Sequence, residues 1–194
     1  MNTRTYKTGF FLCAALFVCG CAAGVAASGL LTRSAPVGEY ISGLSESAGS
    51  ALGGRFASSF LSAGKFHLAA LLFAFSVLGV AGIPSVAAVR GFLLCFAMSS
   101  VIRFCGSGSV WAVLAMFSPE AIISVPCLFV LSAQSFNASA GLLRAASGAS
   151  RGALPFSGGF LSRGAACAAL LAVAALIEAI ISPGLVARIV SGGA

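Results

Sequence analysis

Residues 165–187 read AACAALLAVAALIEAIISPGLVA, 23 residues in a row whose only charge is Glu178. A helix rises about 1.5 Å per residue, and roughly 20 apolar residues cross the 30 Å of hydrocarbon in a bilayer, so this stretch is long enough to span a membrane. A carboxyl at that depth costs several kcal/mol unless protein, headgroup or water meets it, which makes Glu178 a candidate for a working or structural role. Pro183 lies near the end of the run, four residues before Ala187.

The same pattern recurs along the chain. Of 194 residues 59% are hydrophobic and 8% charged, too little polar surface to cover a water-soluble domain. Five segments have the length and composition of spans, at about 9–31, 66–83, 85–104, 109–135 and 165–187. The expected fold is therefore all-α, a polytopic membrane helix bundle forming one integral domain. Eleven Lys and Arg against four Glu and no Asp give a net charge of +7. Basic residues beside apolar spans set topology, and no basic patch interleaved with aromatics points to nucleic acid, so the lipid bilayer is the expected surrounding partner.

Between the spans the composition changes. The first span is flanked by Arg4 and Lys7 before it and Arg33 after it; a cleaved signal peptide is the alternative, and its length favours a retained anchor. Residues 36–62 are rich in Gly, Ser and Ala, with Val37, Ile41, Leu44, Ala48, Leu52, Phe56 and Phe60 at helical spacing. That spacing predicts an amphipathic extracytoplasmic segment lying on the membrane or against a partner, with a solvated connector as the plain alternative. Gly82-Ile83-Pro84 predicts a tight hairpin between the second and third spans. In the third span Arg90, followed by Gly91, either bends its guanidinium back to the headgroups or pairs with a buried acid, for which Glu178 is one of two placed to serve.

The fourth span is predicted to be broken. Ser118-Pro119-Glu120 has the order of N-cap, first helical residue and first-turn acid, and Pro126 would bend the second half again. A break at that depth either lines a working cavity or merely shapes packing, and a full re-entry would invert the topology after it. Residues 137–164 then carry Arg144, Arg151 and Arg163 with no acid, a cytoplasmic signature. With the amino terminus also inside, five spans place the carboxyl terminus outside the cell membrane.

Chemistry is mostly excluded. One histidine and no aspartate leave no Ser-His-Asp triad, and no two carboxylates neighbour each other for a dyad. Ser107 within Gly106-Ser107-Gly108-Ser109 loosely resembles the serine loop of rhomboid proteases, but His67 beside Lys65 reads as an interfacial residue. Cys13, Cys19, Cys21, Cys95, Cys127 and Cys167 lie in apolar runs and read as small hydrophobes, so no disulfide framework, metal site or cofactor is expected. Gly20 and Gly24 have the small-xxx-small spacing that lets helix backbones approach.

Taken in order, Gly82-Ile83-Pro84, Arg90-Gly91-Phe92, Phe117-Ser118-Pro119-Glu120 with Pro126, and Ile177-Glu178-Ala179-Ile180-Ile181-Ser182-Pro183 resemble the stage II sporulation protein M family. The family's Lys-Gly pair reads Arg90-Gly91 here, and its Pro-Gln-Asn type break reads Pro119-Glu120-Ala121. The resemblance implies a non-catalytic membrane scaffold of endospore-forming bacteria that works in engulfment at the sporulation septum. Its implied partners are the stage II sporulation proteins D and P, which cut septal peptidoglycan, and a homo-oligomer is left open. The alternative is a transporter or permease-like subunit, because broken helices and buried charges build transport sites.

Overall fold

A computed structural model describes residues 3–31, 51–105, 110–148 and 158–192. Five helices account for nearly all of them: α1 Thr3–Leu31, α2 Leu52–Ala74, α3 Gly79–Cys105, α4 Val110–Ala146 and α5 Gly158–Gly192. No strand occurs among the described residues. Each helix contains a stretch long and apolar enough to cross a membrane, namely Arg4–Leu30, Leu52–Ala74, Gly79–Arg103, Ala121–Ala146 and Gly159–Ile181. The all-α five-span bundle is therefore the fold.

Several boundaries differ from the sequence expectation. The reversal between the second and third spans lies at residues 75–78, not at Gly82-Ile83-Pro84, and Pro84 sits inside α3. Serine chemistry explains the shift. The Leu78 amide donates to Ser76 Oγ at 3.2 Å and the Gly79 amide to the Ser76 carbonyl at 3.1 Å, closing a turn that needs no proline. Gly79 is required there, because a Cβ would run into the Phe73 carbonyl oxygen. Pro84 removes one helical donor, the one that would bond the Val80 carbonyl, and the helix continues through it.

Three further expectations are corrected. The chain is helical without interruption from Val110 to Ala146, so Pro119 and Pro126 do not split the fourth span into half-helices. Residues 137–146, expected in a basic loop, extend α4, and residues 149–157 lie outside the described residues. Of the expected amphipathic segment, 36–50 lie outside the described residues, while Leu52 onward opens α2 and belongs to a span.

Two kinds of packing hold the bundle. α1 and α3 run parallel and make the most extensive helix pair, with Gly20 against the Ala88 backbone and Gly24 against the Phe92 backbone. Gly91 returns the fit from α3, its open side facing the Phe17 carbonyl and Cys21 Sγ. Without side chains at these points the helix axes approach closely, the dispersion-driven contact expected where lipid is as apolar as the interface. α4 is the central helix and touches all four others. Over an 18-residue stretch of its span 56% of residues are buried, against 17–28% over such a stretch in the other four, and positions 131–136 are all buried.

Apolar clusters fill the remaining space. Cys13, Ile83, Ala87 and Phe136 join α1, α3 and α4, with Phe17 and Phe129 packed on them edge to face, ring centroids 5.3 Å apart. Phe66, Ala70 and Leu128 join α2 to α4, and Ala74, Ala138 and Phe160 bring in α5. Phe75 meets Phe160 edge to face at 6.3 Å, which sets the antiparallel register of α2 and α5.

Candidate functional site: the polar centre of the bundle

α4 carries an unusual load of polar side chains for a central membrane helix. Ser124, Ser132, Ser135 and Ser139 are all buried, as is Gln134. At 100° per residue the four serines fall within an arc of about 80°, so they form one face. That face points between α2 and α3. At one end the Ser139 hydroxyl donates to the Ser76 carbonyl at 2.7 Å and pins the α2–α3 turn. At the other end, roughly 22 Å along the axis by helical rise, Ser124 meets the charged centre of the molecule.

Arg90 is 5% exposed and lies eleven residues into α3, about 16 Å from its start. Snorkelling to the headgroups is therefore not its role. Its guanidinium stacks over the Phe66 ring at 5.1 Å and Nη2 reaches the Ser124 hydroxyl at 3.5 Å. Aromatic faces attract weakly hydrated guanidinium, and the attraction grows where water is excluded. Gly91 beside it serves the α1 contact and has no side chain to bring to the centre.

His67 sits next to this pair and is 5% exposed, so it is an interior residue rather than an interfacial one. Nδ1 lies 3.0 Å from the Ala63 carbonyl on its own helix, and Nε2 lies 3.2 Å from the Ser124 carbonyl on α4. A neutral imidazole has one N–H and donates to one of these carbonyls; a doubly protonated ring donates to both. With a proton on Nε2 the ring bridges α2 to α4, at the level where Arg90 bridges α3 to α4. Three helices meet through one serine.

The other residues singled out by sequence fall elsewhere. Glu178 is half-buried on α5, eighteen residues along from Phe160. Counting back eighteen residues from Phe75 puts it level with Ala57, two residues from Arg55 and nearer the start of α2 than the Arg90 centre. Pro126 is exposed on α4. Pro119 and Pro183 lie within α4 and α5, and their side chains, with that of Glu120, lie outside the described residues.

Residues missed by sequence reasoning were Phe66, Ser124, Ser132, Ser135, Ser139 and Gln134. Their spacing on one helix was the available signal, since 124, 132, 135 and 139 differ by eight, three and four. Gln134 faces α5 and donates through Nε2 to the Gly159 carbonyl at 3.4 Å. Ser132 Oγ and Ser135 Oγ are buried without a hydrogen-bond partner among the described residues. The six described cysteines are free thiols, and no group of three or more metal-ligating side chains gathers among the described residues. The centre thus offers hydrogen bonds and one fixed positive charge, with no nucleophile set against a base and orienting acid.

Five apolar helices around a polar, charge-bearing core define a multi-pass membrane protein. The pattern of the family described as Stage II sporulation protein M matches residues 10–183, nine-tenths of the chain, and the protein belongs to that family. Comparison with curated proteins and with solved structures gave no match.

Proposed function

We propose that this sporulation-family membrane protein is a non-catalytic scaffold that recruits and holds peptidoglycan-degrading partners at the septal membrane during forespore engulfment. The partners in view are of the kind of the stage II sporulation proteins D and P. The observation that carries this proposal is the use made of the polar centre. Arg90, His67 and Ser124 are spent on tying α2, α3 and α4 together, so the residues with chemical potential hold the bundle in shape. Family membership over residues 10–183 supports the sporulation setting. The amino terminus and the α2–α3 turn are assigned to the cytoplasmic side, and the carboxyl terminus to the outside.

Affinity purification of the tagged full chain from sporulating cells tests this directly. Peptidoglycan hydrolases are expected to co-purify, and Arg90→Ala or Glu178→Gln is expected to reduce that recovery together with septal localisation. Normal folding, localisation and recovery in both variants would remove the structural role given to these charges. A purified chain that itself cleaves cell-wall polymer would remove the scaffold.

One observation favours a second reading, a permease-like subunit. The buried hydroxyls of Ser132 and Ser135 lie on the face leading from the α2–α3 turn to Arg90 and are the kind of group that lines a polar path. A broken fourth helix is not among its supports, because α4 is continuous through Pro119. Substrate-dependent flux in proteoliposomes would favour this reading over the scaffold.

A further inference from the structure

The outward side of α2 is not a lipid surface along its whole length. Its second half exposes Leu68 and Leu72, 58% and 63% accessible, as a helix facing acyl chains should. From its start to just past its middle it exposes Gly54, Ala57, Ser58, Leu61, Ser62 and Lys65. Nothing lies within 4 Å of a Cβ built on Gly53 or Gly64, so the flank of this face is open as well.

Depth is fixed by neighbours. Lys65 is adjacent in sequence to Phe66, which carries the Arg90 guanidinium, and two residues from His67, which reaches Ser124. It therefore lies at the level of the bundle centre, nine residues from the end of α2 and thirteen from its start. Those separations, about 14 and 20 Å, are beyond what a four-carbon stem covers by snorkelling. At this level and beyond, α1 exposes Val18 and Val25 and α3 exposes Leu93, all apolar. Hydrocarbon therefore surrounds the bundle where α2 turns small, polar and cationic side chains outward.

The Lys65 ammonium lies 5.2 Å from the centroid of its neighbour's ring, Phe66, which leaves most of its valence unmet. A charge in that setting pairs with an opposite charge or disrupts the membrane around it. A two-fold axis along the membrane normal keeps each residue of a second copy at its own depth, where Lys65 meets Lys65 and the described acid Glu178 lies eight residues, about 12 Å, away. We propose that the face formed by Gly54, Ala57, Ser58, Leu61, Ser62 and Lys65 docks one membrane-spanning helix of another protein. That helix carries a small-residue stripe and an Asp or Glu facing Lys65. Small residues let the two backbones approach, and the ion pair sets register. The inference rests on the scaffold function for why a partner helix is present.

A photocrosslinking p-benzoylphenylalanine at Leu61, in the full chain and in sporulating cells, tests it. The expected adduct is a peptide from another protein's membrane span bearing Asp or Glu, identified by mass spectrometry. Its yield falls tenfold or more with Lys65→Ala and survives Lys65→Arg, which keeps the charge at an exposed site. Lys65→Glu loses the adduct, and a matching acid-to-Lys change in the partner restores it. Adducts only with lipid, with a second copy, or with residues 32–50 of this chain overturn the proposal, as does an unchanged yield in Lys65→Ala. If the adduct forms with a helix of a protein unrelated to the cell wall, the surface stands and the scaffold assignment fails. Hydrolases that co-purify without any Leu61 adduct give the reverse outcome.

Discussion

The α1–α3 interface and the α4 centre solve the same problem by opposite means. Where α1 meets α3, Gly20, Gly24 and Gly91 remove side chains so that backbone rests on backbone, and shape alone defines the fit. Where α4 meets α2 and α3, Ser124 and Ser139 receive or send hydrogen bonds from three elements, and polar satisfaction defines it. In lipid the first device is unforgiving, because overpacking has no slack to absorb it. The second is spread over several bonds. Their difference predicts a ranking of mutational effects.

The steepest losses belong to the glycine contact. In Gly20→Val the new Cβ meets the Ala88 carbonyl oxygen, a backbone atom that cannot rotate away, so α1 and α3 must separate. A loss of about 3 kcal/mol, or failure to recover folded protein in mild detergent, is expected. Gly164→Val is the control, since nothing lies within 4 Å of a Cβ there. Thermal melting of the two purified variants makes the measurement, and equal melting points would break the contrast between regions.

Next comes the bridge at the polar centre. His67→Ala leaves the Ser124 carbonyl without its ring contact and opens a void between Phe66 and α4, a loss of about 1–3 kcal/mol. His67→Gln, which can still donate one hydrogen bond, is expected to fall between. A variant ranking in which Gln and Ala behave alike would mean that ring volume rather than hydrogen bonding carries the site.

Ser139→Ala is milder. It removes the 2.7 Å bond to the Ser76 carbonyl at the turn, and side-chain bonds inside membrane proteins are worth about 0.6 kcal/mol on average. The readout is local: faster protease cleavage or hydrogen exchange at residues 75–79, with the global melting point nearly unchanged.

These two regions also differ in how plainly their amino acids announce them. The number of helices and the Gly20–Gly24 contact were legible because hydropathy and a small-xxx-small spacing are one-dimensional signals; Arg90 stood out as a charge in an apolar run, but its burial against Phe66 and Ser124 did not. The turn was not. Gly82-Ile83-Pro84 carries stronger turn residues than Phe75-Ser76-Val77-Leu78, yet Ser76 is chosen because it closes its own turn and accepts from Ser139, sixty-three residues away. Pro119 misled as well, since the central helix runs on through it, held by contacts with four neighbours. The start of α2 reads as a surface helix because none of residues 52–62 is buried; the helix enters the core only from Ala63, Phe66 and Ala70 onward. The serine face was hidden for a simpler reason. Serine barely lowers the hydropathy of a span, so only its helical phase distinguishes Ser124, Ser132, Ser135 and Ser139 from scattered small residues.

Ser132→Ala is the smallest effect and the sharpest discriminator within the polar centre. The Ser132 hydroxyl is fully buried and meets no acceptor or donor among the described residues, unlike Ser139 on the same face. Burying such a group without a partner costs about 1–3 kcal/mol, and Ala keeps the Cβ while removing only the hydroxyl. Ser132→Ala is therefore expected to leave stability unchanged or raise it by up to about 1 kcal/mol, opposite in sign to Ser139→Ala. Chemical denaturation of both variants in the same detergent provides the comparison. A clear loss at Ser132 would mean that its hydroxyl is solvated, turning the serine face from a structural seam into a hydrated path toward His67 and Arg90. That outcome would shift the balance toward the permease-like function, because a scaffold has no need of water at its centre.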